Sequence, residues 1–446
     1  MEKEVFPPGL NNAFYFAVFN ALSFQIVLNS PMVLYAKSLG ASATILGIIA
    51  GMMPLLVVFQ IPAAQHVSRV GFKKFVYAGW GTRVMFIFGM ASVPVTGFFL
   101  NESSRLGLLL TLLFGFNLSR GISSAGWLPW ITSLVPPGIR GKYLSREAAW
   151  VNLSSFISFL LSALCLNREP HAWQFSLLFL FSGLMGASSL IFLKRIPDVE
   201  SDELTSNSKM PVPWGELLRF PAFRKLLVML VAWSMAYGGL ATFTVVFLKT
   251  EIGFSEGSIL LLNSVFYLGG LCSLWLLGSR LDAFGSKPVL KVSFGAWIMI
   301  LFGWSLLAGK CFPPVIGLIL LLQFTMGLGA ALVTMSNTRL AMAIVPKMGR
   351  NHFFAIYSVV GNVTLGLAPM VWGLLLDAVG ARQVIGAGME WNRFSVFFLS
   401  VTLLLGLTLV LSQRLHEPEA ASLESLLRDV LIHSPQRVWI RLWARE

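Results

Sequence analysis

Twelve apolar stretches, each long enough to cross a bilayer, constrain this chain more than any other feature of its sequence. A crossing helix needs about 20 mostly apolar residues. The stretches cover residues 11–36, 43–65, 75–100, 106–134, 145–166, 172–193, 222–248, 257–279, 288–309, 313–337, 352–377 and 393–413. Only 12% of the 446 residues are charged, about half the usual share in a soluble domain. The sequence therefore predicts an all-α membrane protein with twelve spans, numbered here 1 to 12.

Lysine and arginine residues are distributed unequally between the two sides of the predicted membrane. The N-terminus, the even-numbered loops and the C-terminal tail hold 24 of them, whereas the odd-numbered loops hold seven. Basic residues collect on the cytoplasmic side, so both termini are predicted to be cytoplasmic. The net charge of +13 then reflects membrane topology, and no nucleic-acid partner is expected. The N-terminus lacks the features of a cleaved signal peptide, and we expect span 1 to stay in a bacterial inner (plasma) membrane.

The chain divides into two similar halves. A charged segment that contains prolines and serines, residues 194–221, predicts a cytoplasmic linker. It separates six-span bundles at 1–193 and 222–414, and a tail follows at 415–446. The tail carries arginines and tryptophans at helical spacing, which predicts either a helix on the inner membrane face or a partly disordered segment.

Three markers repeat in the same order in both halves. The sequence "LVPPGIRGKYLSREAAWVN" after span 4 aligns with "IVPKMGRNHFFAIYSVVGN" after span 10, which pairs Arg140 with Arg350 at an offset of 210. "GAS" before span 2 aligns with "GFS" before span 8, where Ser255 is expected to cap a helix. "AQHVSRVGFKK" after span 2 aligns with "GSRLDAFGSK" after span 8, at an offset of 214. Such tandem halves are typical of transporters.

The third marker supplies candidate gating residues. They are Arg69, Gly71, Lys73, Gly278, Asp282, Gly285 and Lys287, to which the paired Arg140 and Arg350 are added. Gly71 and Gly285 allow a tight turn between helices, and Asp282 can cap a helix or pair with an arginine. The alternative is that these residues only set topology and turn geometry.

The twelve spans, the central linker and the Gly-x-x-x-Asp-x-x-Gly-x-Lys loop resemble the major facilitator superfamily over residues 11–414. The resemblance implies two pseudo-symmetric six-helix bundles, alternating access, and a gating role for the loops. The first loop departs from the family pattern, because Ala64 and Ser68 replace its glycine and aspartate. Span 5 lacks the glycine- and proline-rich run of the family's antiporters, which weighs against drug/proton antiport.

The resemblance also implies that spans 1, 4, 7 and 10 surround a central cavity. The polar and aromatic candidates for substrate binding on these spans are Asn20, Gln25, Asn117, Arg120, Ser124, Trp233, Tyr237, Gln323, Thr334 and Asn337. For the uncharged polar residues, the alternative is hydrogen bonding between helices. The members on span 4 share one helical face.

Arg120 is the most informative candidate. A charge within a span costs about 2.5–3.5 kcal/mol on insertion scales, yet no Asp or Glu lies in the middle third of any span. We expect Arg120 to contact an anionic or strongly polar group of the substrate, against the alternative of a structural arginine. The missing carboxylate also weakens a proton-coupled mechanism.

The predicted function is secondary active or facilitative transport of a small polar or anionic solute. No catalytic constellation, nucleotide-binding loop or metal-type spacing is found in the sequence, so neither an enzyme nor a cofactor is expected. The expected partners are a small-molecule substrate and the lipid bilayer. The protein is expected to be a monomer, and a coupling ion stays open. The alternatives are a metabolite or multidrug efflux antiporter, and a receptor or scaffold of the same fold that does not transport.

Overall fold

A computed structural model describes residues 8–135, 140–166, 170–198, 219–277, 285–344, 350–386, 388–415, 417 and 424. Within these ranges, eleven helical stretches are long and apolar enough to cross a membrane. A further helix, Glu256–Leu277, occupies the position of predicted span 8. The prediction of an all-α protein with twelve spans is therefore confirmed. Most of the linker and of the tail lies outside the described residues.

Fifteen α-helices in the described ranges form the twelve spans, because spans 1, 2 and 7 each consist of two α-helices, and short 3-10 helices at Val57–Phe59 and Val93–Phe98 extend spans 2 and 3. The helices are α1 Asn11–Leu28, α2 Ser30–Ser38, α3 Ala43–Leu56, α4 Gln60–Val70, α5 Phe72–Ser92, α6 Glu102–Leu134, α7 Arg140–Cys165, α8 Ala172–Arg195, α9 Pro221–Tyr237, α10 Leu240–Thr250, α11 Glu256–Leu277, α12 Ser286–Ala308, α13 Ile316–Ile344, α14 Arg350–Val379 and α15 Arg393–Gln413. A short antiparallel hairpin, β1 Val384–Gly386 and β2 Met389–Trp391, joins spans 11 and 12.

Spans 1 and 7 are interrupted at equivalent positions. Span 1 breaks at Asn29, whose backbone is extended, with φ −127° and ψ −152°. Span 7 breaks at Gly239, whose φ of +90° is a conformation that favours glycine. The two positions are 210 residues apart, which is the offset that relates span 4 to span 10. Interrupted helices at corresponding positions of two halves are typical of the substrate region of transporters.

The predicted turns of the repeat also match in conformation. Gly71 and Gly285 directly precede α5 and α12, with φ of +86° and +82°. Gly40 and Gly253, from the second marker, have φ of +80° and +77°. The Ser255 hydroxyl accepts a hydrogen bond of 3.2 Å from the backbone amide three residues further on, which confirms its assignment as a helix cap. The internal repeat is thus present in the backbone as well as in the sequence.

The two halves pack against each other through span 2 on span 11 and span 5 on span 8. Glycines allow the first pair to approach closely. A Cβ atom on Gly47 would overlap the carbonyl oxygen of Pro369, and one on Gly51 would overlap the carbonyl oxygen of Gly366. Backbones that approach this closely are held by van der Waals contacts over a long seam, as is usual for helices in membranes. The membrane side opposite residues 8 and 415 is called the distal side below.

Candidate functional site

The predicted substrate residues separate into two groups that the fold places at different positions. The first group lies in the N-terminal half, where Trp80 of span 3 contacts both span 1 and span 4. Its members are Asn20, Asn117, Arg120 and Ser124. Gln25, Tyr237 and Gln323 lie where the two halves meet. We call the first group the arginine cluster and the second the interface cluster.

Arg120 lies half-buried in the middle of span 4. Within the part of the chain that the structure describes, its guanidinium makes neither a hydrogen bond nor an ion pair. A second arginine, Arg83 of span 3, is close enough for the two positive charges to repel each other. The guanidinium of Arg83 lies over the ring of Phe116, one helical turn before Arg120 on span 4. The N-terminal half therefore holds two interacting cations, where the sequence analysis considered only one.

Arg83 is the functional candidate that sequence reasoning missed. The residue is 4% exposed, and its guanidinium lies 4.6 Å from the ring centroid of Trp80 and 5.0 Å from that of Phe116. Its Nε and Nη1 atoms are buried and have no hydrogen-bond partner. The signal was present, because Arg83 is a charge inside an apolar span, but span 3 was not among the four spans expected to line a cavity.

Aromatic rings pack next to Arg83 and continue along the N-terminal half. The Trp80 indole donates a hydrogen bond of 3.2 Å to the side-chain oxygen of Asn20, so this predicted residue orients a ring of the cluster. The Trp127 ring is 6.0 Å from the Trp80 ring and 4.8 Å from the Phe16 ring. These rings lower the local dielectric, which strengthens any electrostatic interaction that the arginines make.

The other two predicted residues on span 4 differ in how well their polar groups are satisfied. The Asn117 amide nitrogen donates to the carbonyl oxygen of Leu113 at 2.9 Å, but its buried oxygen accepts no hydrogen bond. The Ser124 hydroxyl donates to the Gly121 carbonyl at 2.7 Å. Asn117 therefore keeps an unused acceptor, whereas the hydroxyl of Ser124 is already engaged within its own helix.

Gln25 of the interface cluster belongs to a hydrogen-bond network that connects the two halves. The Gln25 side-chain nitrogen donates to the Ser155 hydroxyl at 2.6 Å, within the N-terminal half. Its oxygen accepts from the Tyr267 hydroxyl of span 8 at 3.2 Å. The side-chain nitrogen of Asn263, also on span 8, donates to the Ser30 hydroxyl at 2.8 Å. Asn263 and Tyr267 are four residues apart on one face, a polar pattern that was visible in the sequence but lies outside the four spans inspected.

A cavity of about 110 Å³ lies beside this network. Both halves line it: Asn29 and Phe159 come from the N-terminal half, and Tyr237 and Gln323 from the other. The hydroxyl of Thr244 also borders the cavity and is buried without a hydrogen-bond partner. The position combines both helix interruptions with unused polar groups, which is the arrangement expected of a binding pocket.

The other predicted substrate residues on spans 7 and 10, namely Trp233, Thr334 and Asn337, do not line this cavity. Trp233 stacks on Tyr237 at 5.1 Å, and both rings make edge contacts with Trp297. The Thr334 hydroxyl donates to the carbonyl of Ala330 in its own helix at 2.8 Å. Asn337 is buried and its side-chain oxygen has no partner. The structure therefore groups Tyr237 and Gln323 at the cavity and leaves Thr334 and Asn337 further along span 10.

The predicted gating residues are only partly described. Gly278 and Asp282 lie outside the described residues, and Arg140 and Arg350 begin α7 and α14 with side chains that are not described. Arg69 is exposed, and Lys73 is partly exposed. The Lys287 ammonium donates to the carbonyl oxygen of Leu415, and its backbone amide donates to the carboxylate of Glu417 at 2.8 Å. The second loop is thereby connected to the beginning of the C-terminal tail.

A carboxylate connects the two halves on the distal side. Asp377 of span 11 accepts hydrogen bonds from the backbone amides of Ala43 and Thr44, at 3.3 and 2.9 Å, and from the Thr44 hydroxyl. These amides belong to the first turn of α3 in the other half, where donors are unpaired and the helix dipole is positive. Together with the interface cluster, this contact joins the halves on the distal side.

A larger cavity, of about 400 Å³, opens at the distal rim of the C-terminal half. Lys310, Cys311 and Asn392 contribute to its lining, and none of the predicted substrate residues does. We therefore place the candidate site at the arginine and interface clusters, on the basis of unpaired polar groups.

The fold and these clusters define a membrane transporter built from two six-helix bundles. Residues 13–310 and 244–444 match the sequence profile of the Major Facilitator Superfamily, and the chain belongs to this family. A curated relative, the staphylopine export protein of Staphylococcus aureus (strain Mu50 / ATCC 700699), is 23% identical over 394 residues, which cover 81% of this chain and 87% of the relative.

Solved structures share the fold at low sequence identity. A D-xylose-proton symporter superposes with a TM-score of 0.72 at 11% identity, over 93% of this chain and all of that chain. The inward-open xylose transporter XylE from E. coli gives 0.69 at 14% identity, over 93% and 98%. The nucleoside transporter NupG gives 0.62 at 13% identity, over 91% and 98%. The chain is an integral membrane protein and a transporter of small solutes.

Proposed function

We propose that this transporter carries a small anionic solute by alternating access, and that Arg120 contacts the anionic group. The observation that carries the proposal is the unpaired guanidinium of Arg120 in the middle of a span. An arginine stays protonated in proteins, and a buried charge without a partner is costly. An anionic group of the substrate would remove that cost each time it binds.

The distribution of carboxylates supports an external counter-charge. No Asp or Glu lies in the middle third of any span, and Glu147 and Asp377 lie near span ends. Three carboxylates on the distal side, Glu251, Glu256 and Glu390, form ion pairs with Arg393, Lys249 and Lys310, all of them outside the middle of the spans. A neutral sugar-like substrate would leave Arg120 unpaired, so an anion fits the cluster better.

The contacts between the halves support alternating access around this site. The distal side is held by Asp377 on α3 and by the interface cluster, so the site in this state would communicate with the side of the termini. Rocking of the two halves would break these contacts and expose the same residues to the distal side. The excess of basic residues assigns the side of the termini to the cytoplasm.

The proposal also covers the bundle boundaries, the oligomeric state, the membrane and the substrate contacts. The bundles comprise residues 1–193 and 222–414, and the protein works as a monomer without catalytic activity in a bacterial inner membrane. The substrate contacts are the predicted set, with Arg120 and Asn117 in the arginine cluster and Gln25, Tyr237 and Gln323 at the cavity. The loops that contain Gly71 and Gly285 act as gates on the side of the termini.

Export is the candidate direction of transport. The curated relative is named as an export protein and matches most of both chains. Antiport with protons is less well supported, because span 5 lacks the glycine- and proline-rich run and no carboxylate lies at mid-membrane depth.

A ligand screen sorted by charge tests the proposal. The purified chain would be heated with matched sets of small anionic, neutral and cationic solutes, and the stabilising compounds would then be tested by counterflow in proteoliposomes. We expect anions to raise the midpoint of thermal unfolding and to support counterflow, since a ligand that binds only the folded state stabilises it. Stabilisation and counterflow by neutral or cationic solutes alone would overturn the proposal.

A further inference from the structure

We infer that Arg83 and Arg120 bind the substrate together, so that the substrate of this transporter carries two negative charges. The inference rests on the proposed function and specifies the class of anion. It assigns a binding role to Arg83, a residue outside the spans expected to line the cavity.

The contacts of Arg83 leave its hydrogen-bonding groups free. Trp80 and Phe116 lie against the guanidinium at 4.6 and 5.0 Å from their ring centroids. Ring contacts of this kind hold the cation through the ring quadrupoles and use none of its N–H donors. Nε and Nη1 stay buried and unpartnered. The side chain is thus positioned by aromatic rings while its N–H groups remain available for oxygen acceptors.

The charge balance indicates two negative charges rather than one. Two guanidinium groups that repel each other in a medium of low dielectric raise the energy of the ligand-free state. A monoanion would neutralise one of them and leave the other buried without a partner. A dicarboxylate or a dianionic group neutralises both, and carboxylate and phosphate oxygens suit the planar donors of arginine.

Neither arginine forms an ion pair within the described part of the chain. On span 4, three residues before Arg120, the buried side-chain oxygen of Asn117 accepts no hydrogen bond. An amide oxygen can receive a donor from the substrate but cannot neutralise a cation. The ring of Trp80, which contacts Arg83, packs in turn against the rings of Phe16 and Trp127. The described part of the chain thus supplies aromatic surface and an amide acceptor, but no counter-charge, and a substrate anion would supply it.

A purely structural role for Arg83 predicts a different outcome on substitution. If its packing between Trp80 and Phe116 stabilises the bundle, Arg83→Gln lowers the midpoint of thermal unfolding. If Arg83 is an unpaired cation that awaits the substrate, the same substitution removes a buried charge and maintains or raises that midpoint. The ligand-free stability is therefore a readout that separates the two roles before any ligand is added.

Matched ligands that differ only in charge test the inference. The affinity of the purified full chain would be measured for succinate, glutarate and benzene-1,3-dicarboxylate. Each diacid would be compared with its own monoamide and its own diamide. We expect at least one dianion to bind tenfold or more tightly than its monoamide, and the diamide to bind least. Arg83→Gln and Arg120→Gln should each reduce that dianion to the affinity of the monoamide. Arg382→Gln removes one exposed charge in a distal loop and should change neither value.

The outcomes distinguish this inference from the proposed function. Equal binding of dianions and monoanions, with both lost in Arg120→Gln and retained in Arg83→Gln, would overturn the two-charge inference and leave the anion transporter in place. Failure of every anion to bind would overturn both. A lower unfolding midpoint in Arg83→Gln with unchanged dianion affinity would identify Arg83 as structural.

Discussion

The Asp377 carboxylate accepts a hydrogen bond of 2.6 Å from the hydroxyl of Thr44, and this contact joins the two halves of the transporter. The same carboxylate accepts from the first backbone amides of α3. It therefore caps a helix of the other bundle, where a negative charge is favoured by the unpaired donors and by the helix dipole. Because rocking of the bundles must separate these groups, we expect Asp377 to help hold the distal side closed.

Asp377→Asn should weaken this closure. The amide keeps one acceptor but loses the charge, and we expect a loss of about 1–2 kcal/mol, which changes the ratio of distal-closed to distal-open molecules by about 5–30-fold. Double electron–electron resonance between spin labels at Ser38 and Gln383 in a cysteine-free background would measure the shift. Thr44→Val, which removes one hydrogen bond and no charge, should give a smaller shift in the same direction. An unchanged distance distribution in Asp377→Asn would show that the contact is incidental.

The close approach of spans 8 and 10 depends on Gly327. A Cβ atom there would overlap the backbone of Phe266, so Gly327→Ala must push the two helices apart. We expect a loss of about 1–3 kcal/mol in the free energy of unfolding, as for other overpacked sites. Gly295→Ala is the matched control, because the same atom meets open space and a helical alanine is favoured by about 1 kcal/mol over glycine. Equal midpoints of thermal unfolding for the two variants would contradict the described packing.

Much of the fold was predictable because its signals are local. The length and apolarity of each span follow from the thickness of the bilayer. The repeat markers predicted the turns at Gly71 and Gly285, which have nearly the same positive φ. Ser255 caps its helix because a serine before an apolar run supplies the side-chain acceptor that the first turn needs. None of these features depends on how distant spans pack.

The site was less predictable because it depends on contacts between distant spans. Helical spacing brought Asn117, Arg120 and Ser124 onto one face, but it could not show that Arg83 of span 3 packs on span 4 at Phe116. The choice of spans 1, 4, 7 and 10 excluded Asn263 and Tyr267, which connect span 8 to the other half. Thr334 has the right spacing on span 10, yet its hydroxyl is used within its own helix.

The hairpin between spans 11 and 12 should lose its anchor in acid. The hydrogen bond from Lys310 at 2.8 Å, followed by one from Asn392, holds the pKa of Glu390 below its ordinary value of 4.5. The hydrogen bond with Glu390 likewise raises the pKa of Lys310 above 10.5. Because the pKa of Glu390 is lower in the folded than in the unfolded state, its ionised form stabilises the hairpin above the unfolded-state pKa. This stabilisation is lost as the pH falls through the folded-state pKa. Because the pKa of Lys310 is higher in the folded state, its charged form stabilises the hairpin below pH 10.5, and this stabilisation is lost as the pH rises through the folded-state pKa.

Hydrogen exchange measures this dependence. The backbone amide of Glu390, which donates to the carbonyl of Gly309 at 2.8 Å, should be protected near neutral pH. Its protection should fall below pH 4.5, after correction for the intrinsic exchange rate. Glu390→Gln should show the reduced protection already at pH 7 and lose the acid transition. A transition that persists in Glu390→Gln would assign it to another group.

The cavity between the halves offers a test at Thr244. Its hydroxyl is buried without a partner, so Thr244→Val should leave ligand-free stability unchanged or slightly higher. If the hydroxyl contacts the substrate, affinity should fall by about 2–13-fold, since a typical hydrogen bond contributes about 0.5–1.5 kcal/mol. Thr402→Val is the control, because that hydroxyl already donates to Phe398 in its own helix. Wild-type affinity in Thr244→Val, measured by isothermal titration, would place the substrate elsewhere.

The affinity of the Arg120 variants for the transported anion tests the central proposal most directly. Wild type, Arg120→Lys and Arg120→Ala would be compared by binding and by counterflow in proteoliposomes, with the anion that stabilises the wild type most. We expect Arg120→Ala to bind about 10–150-fold more weakly, because a hydrogen bond to a charged group contributes about 1.5–3 kcal/mol. Arg120→Lys, which keeps the charge but not the planar donors, should lie between the two. Wild-type affinity and counterflow in Arg120→Ala would contradict the account.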